Sequence, residues 1–86
     1  MHSKNLQLNE ELIEEMKLIL LFPLDSLASG LKIHHDAPVT TRHAAIRLFD
    51  KGFITLEDGG YLTELGRELA EHTHNAVTLL TSERCL

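Results

Sequence analysis

The chain of 86 residues is poor in several things that would each open a class of function. It has one cysteine, Cys85, two prolines, no tryptophan, one tyrosine and three phenylalanines. A single thiol closes no internal disulfide and builds no cysteine-based zinc site, so the sequence reads as that of a cytoplasmic protein. The longest apolar run, Leu18 to Leu24, falls far short of the roughly 20 residues of a membrane span, and no basic stretch leads into an apolar segment with a cleavage site. Neither anchoring nor export is expected. Excess positive charge is missing as well, because 8 Lys+Arg stand against 13 Asp+Glu for a net charge of −5. That total opposes a broad nucleic-acid footprint, which depends on neutralising phosphates. Nucleophile elbows, phosphate-binding glycine loops and metalloprotease motifs are absent, and a chain of this length buries one core without walling a deep pocket. No enzyme and no cofactor is expected.

What is present is globular: 43% apolar and 24% charged residues, without repeats or low-complexity tracts. One domain over residues 1–86 follows, with 1–8 and 82–86 as loose ends. The charge is uneven. Lys32, Arg42, Arg47 and Lys51 against Asp36 and Asp50 give residues 32–52 a net +2, whereas residues 1–31 carry −3 and residues 53–86 carry −4. The carboxylates Glu10, Glu11, Glu14 and Glu15 read as the solvated face of a first helix.

That first helix is expected over about residues 10–22. Asn9 is a good N-cap, Glu10 and Glu11 suit the positive first turn, and Pro23 stops the ladder. Leu12, Ile13, Met16, Ile19 and Leu20 would form its buried face. A second, shorter helix capped by Asp25 would hold Leu27, Ala28 and Leu31. A third runs from Ala37 and Pro38 to Gly52, a natural left-handed stop. Its face of Ala37, Thr41, Ala44, Ala45, Leu48 and Phe49 is core, with the two alanines admitting a close neighbour. Thr40, His43, Arg47 and Asp50 lie opposite, flanked by Arg42, Ile46 and Lys51, and should see solvent or a partner. Residues 53–57 and 61–63 read as a β-hairpin turning at Asp58-Gly59-Gly60. Thr63 then caps a last helix reaching about Thr81.

Lys51-Gly52-Phe53-Ile54, Asp58-Gly59-Gly60 and Leu62-Thr63-Glu64-Leu65-Gly66-Arg67 carry a resemblance to the third helix, wing and last helix of bacterial winged helix-turn-helix regulators. The whole chain also resembles a small family of uncharacterised bacterial proteins with a DNA-binding-like fold. The fold implied is mainly α with one β-hairpin (α+β): a three-helix core, a short wing and a C-terminal helix. The function implied is a small transcriptional regulator reading double-stranded DNA with its third helix. Carried over by position, Thr40, His43 and Arg47 would contact bases, and Lys32, Arg42 and Lys51 phosphates. The wing tip departs from the pattern, since Glu57 and Asp58 would repel phosphate.

Three readings of the open face of the third helix therefore stand: DNA contact, protein docking without DNA, and plain solvation. On the last helix, Leu65, Leu69, His72, Ala76 and Leu79 recur at spacings 4, 3, 4, 3, which suits either a core boundary or the seam of a homodimer. Among six histidines, only His72 has a carboxylate, Glu68, at the i, i+4 spacing for shared metal coordination, so no metal is expected.

Overall fold

Three helices and a three-stranded antiparallel sheet follow in the order α1 (Glu10–Ile19), β1 (Leu31–Lys32), α2 (Val39–Asp50), β2 (Ile54–Leu56), β3 (Gly59–Leu62) and α3 (Glu64–Thr81). The structure, a computed structural model, describes residues 6–25 and 29–82. It is an α+β domain, mainly helical, with a β-hairpin between α2 and α3. None of its helices is long and apolar enough to cross a membrane among the described residues.

The Asn9 side chain accepts a hydrogen bond from the Leu12 N–H at 2.8 Å and starts α1. The helix closes at Ile19, earlier than expected, and runs out through tight turns in which Leu21 N–H bonds Leu18 and Phe22 N–H bonds Ile19. Its buried face is also rotated from the expected one. Glu15, Leu18, Ile19 and Phe22 are buried, at i, i+3, i+4 and i+7, whereas Leu12 and Ile13 are exposed.

The expected second helix is corrected in part. Leu31 lies in β1, and residues 26–28, including Leu27 and Ala28, lie outside the described residues, as does Cys85. From His34 to Ala37 the chain makes a turn closed by Ala37 N–H on the His34 carbonyl, so α2 is preceded there by a turn. Ala44, Ala45 and Leu48 of α2 are fully buried, as the spacing required, and pack against α1. The helix ends in a Schellman motif: Phe53 N–H bonds Leu48 O at 2.9 Å, Gly52 N–H bonds Phe49 O at 3.0 Å, and Gly52 has φ 86°.

β3 is the central strand, paired with β2 on one side and β1 on the other. The hairpin turns at Glu57-Asp58, one step before the glycines, which lie inside β3. Gly59 sits at φ 124° opposite Lys32, and a Cβ there would overlap the Leu31 carbonyl. The glycine is needed to admit the third strand, and the turn is made without it. Ile33, Ile54 and Ala70 join Leu18, Ile19, Phe22, Ala44, Ala45 and Leu48 in one core beneath the sheet and helices.

The resemblance motifs interlock physically. Thr63 caps α3 by accepting from Gly66 N–H at 3.0 Å, and the same hydroxyl donates to Gly52 O at 2.6 Å. Gly66 then packs on the Phe53 carbonyl so closely that a Cβ would collide with it. One side chain and one missing side chain thus bind the start of α3 to the end of α2.

Candidate functional site

Of the six side chains expected to meet DNA, Thr40, Arg42 and His43 lie exposed on α2. Arg42 Nε is anchored to the Ala37 carbonyl at 3.0 Å. The other three cations are held by carboxylates of the same chain.

Arg47 is turned into α1 and not toward open solvent. Its Nε donates to Glu15 Oε2 at 2.6 Å, and its terminal nitrogen donates to the Glu11 carbonyl at 3.1 Å. Lys51 Nζ donates to the other oxygen, Glu15 Oε1, at 2.7 Å. The Glu15 side chain is 8% exposed, so both its oxygens are satisfied inside the α1–α2 contact. Burial alone pushes this carboxyl up and is the largest single influence on it. The hydrogen bonds and charges of Lys51 and Arg47 together outweigh burial and hold it below the ordinary 4.5. The expectation that Glu15 belongs to a solvated face is thereby corrected. The sequence did contain the signal, because Glu15 completes an i, i+3, i+4, i+7 stripe with Leu18, Ile19 and Phe22.

Lys32 in β1 donates to Asp58 Oδ2 at the hairpin turn, 2.6 Å away and in solvent. That hydrogen bond is the main reason the Asp58 carboxyl lies below its usual range. Glu57 beside it stays exposed.

Two open clefts flank α2. One, of about 370 Å³, brings Thr40, His43 and Arg47 together and sets them against Glu10, Glu11 and Glu14 of α1. The three residues expected to read bases therefore share a cleft with three carboxylates and one ammonium, Lys17. The other, of about 340 Å³, is lined by Lys32, His34, His35 and Arg42 together with Glu57 and Asp58. Neither is an enclosed site with convergent catalytic groups.

On α3, Leu69 is half-buried against the core, while Leu65, His72, Ala76 and Leu79 are exposed, as is Leu80. The last buried residue of the helix is Thr73. Glu68 Oε2 and His72 Nε2 stand 4.0 Å apart, and among the described residues no cluster of three or more metal-ligating side chains forms.

No curated protein and no solved structure matches the chain. Residues 6–81 match the model of a family of unknown function (DUF5669), and the chain belongs to that family.

Proposed function

We propose that this is a winged-helix-like protein-interaction module of the cytoplasm that leaves duplex DNA unread. The observation that carries the reading is the placement of Thr40, His43 and Arg47 against Glu10, Glu11 and Glu14, of which, among the described residues, only Glu14 is paired with a lysine of α1, Lys17. A phosphate backbone laid along α2 would meet the α1 carboxylates within a Debye length of about 10 Å. Affinity for duplex rises with the number of phosphates neutralised, and Arg47, Lys51 and Lys32 are already paired with Glu15 and Asp58, which leaves one positive charge uncompensated among the five. Arg47 would have to break a partly buried pair to reach a base. Protein docking asks for no such exchange, and the exposed apolar positions of α3 offer a surface for it.

Fluorescence anisotropy on a random duplex at about 50 mM salt separates this reading from the regulator implied by the resemblance. The docking reading expects no saturable binding. Saturable binding that Arg47→Ala abolishes would overturn it in favour of DNA recognition through α2.

A further inference from the structure

We infer that α3 pairs antiparallel with α3 of a second copy of this chain, with His72 at the two-fold axis; this rests on the docking reading and supplies its occupant. In steps of about 100° per residue, the apolar and small residues of α3 cover two adjoining faces. Gly66, Ala70 and Thr73, with Val77 half-buried in line, point into the domain. Leu65, His72, Ala76 and Leu79 lie about 100° further round and are exposed. Glu64, Arg67, Glu68, Glu71, Asn75 and Thr78 take the remaining surface. The apolar arc is therefore about twice as wide as the domain itself buries.

Two features select a second copy, and select its direction. Two members of the exposed stripe are symmetric about His72, since Leu65 lies seven residues before it and Leu79 seven after, while Ala76 is set against Glu68. Antiparallel alignment on that centre sets Leu65 of each copy against Leu79 of the other and His72 against itself, the self-complementarity of a two-fold interface. The charges agree. Glu64, Arg67, Glu68 and Glu71 all fall in the first half of the helix, and from Thr73 to Ser82 there is no Asp, Glu, Lys or Arg. Parallel pairing would bring Glu68 beside its own copy, while antiparallel pairing lays each acidic half on a half without formal charge and opposes the helix dipoles. An 18-residue helix is about 27 Å long, so one stripe covers well below the ~800 Å² per partner of a standard interface. The dimer is accordingly concentration-dependent.

Sedimentation analysis across a concentration series tests this. The wild type is expected to move from 9.7 kDa toward twice that mass as concentration rises. Leu65→Glu and Leu79→Lys, both at exposed positions and checked for folding by circular dichroism, should each hold the monomer. The double variant should restore the dimer, because the new carboxylate of one copy meets the new ammonium of the other at both ends. In a Cys85→Ser background, His72→Cys should cross-link two copies on mild oxidation. A wild type at 9.7 kDa throughout, or a double variant as monomeric as its parents, overturns the proposal. A monomer that also ignores duplex DNA removes only this occupant, whereas a monomer that binds duplex saturably removes the docking reading as well.

Discussion

Glu15 and Arg47 meet at 2.6 Å across 32 residues of sequence, and the second oxygen of the same carboxylate holds Lys51 at 2.7 Å. The two sides of this clamp are unequal. The carboxylate is buried, while the side chains of Arg47 and Lys51 keep 26% and 46% of their surface in solvent. Cations so placed can rehydrate when released, and a buried carboxylate cannot.

Glu15→Gln is therefore expected to lower stability by about 1.5–3 kcal/mol, the scale of hydrogen bonds to charged groups. The Arg47→Ala/Lys51→Ala double variant should lower it by about 3–5 kcal/mol, because it strands the carboxylate. Urea denaturation of the three proteins gives the order directly. A larger loss for Glu15→Gln would contradict the clamp.

The pH dependence follows with its sign. The folded Glu15 carboxyl titrates below 4.5, so the unfolded chain takes up its proton first on acidification. Its contribution is complete above about pH 5.5 and fades as pH falls through 4.5 toward the folded value. Denaturation midpoints between about pH 6 and pH 3 should fall more steeply for the wild type than for Glu15→Gln. Asp58 is shifted the same way, but its pair with Lys32 lies in solvent, and Asp58→Asn should leave the profile almost unchanged.

Thr63→Val keeps the shape of the side chain and removes the hydroxyl that caps Gly66 N–H and bonds Gly52 O. A loss of about 1–3 kcal/mol is expected, and Thr63→Ser should recover most of it. Thermal denaturation of the pair separates the hydroxyl from the methyl group.

Gly66→Ala sets two effects against each other. Alanine gains about 1 kcal/mol of helix propensity, but its Cβ would overlap the Phe53 carbonyl, a backbone atom that cannot swing aside. The clash should win, with a net loss of about 2 kcal/mol or more in chemical denaturation. Gly52→Ala is the useful contrast: nothing lies near its Cβ, so only the cost of φ 86°, about 1–2 kcal/mol, applies.

The parts of this fold that could be read from the sequence are those fixed by neighbours in the chain. Asn9 and Thr63 cap where their spacing said, Gly52 stops α2, and Ala44, Ala45 and Leu48 face the core. What could not be read depends on distant residues. Residues 18–22 are apolar on every side, so the phase of α1 was decided by α2, and Glu15 went inward to meet Arg47 and Lys51. Leu31 and Lys32 form a strand only because Gly59 and Gly60 accept them as partners. Asp58-Gly59-Gly60 satisfied the turn rule, yet Gly59 serves the approach of that strand, and Gly60, at φ 80°, leaves room for Thr55 and Leu56 of β2.

The pairing of β1 with β3 also sets an order of events. Residues 39–82 hold α2, the hairpin and α3 in one continuous stretch, whereas Lys32 reaches Asp58 across 26 residues. Closing that loop costs entropy before a two-residue ladder returns anything. β1 thus joins the sheet last during folding and leaves it first in native fluctuations, at a lower opening energy than β2. In hydrogen exchange, the amide of Ile33, bonded to Asp58 O at 2.7 Å, should exchange well before that of Phe53, bonded to Leu48 O. Equal protection would mean that the third strand opens only with the whole domain.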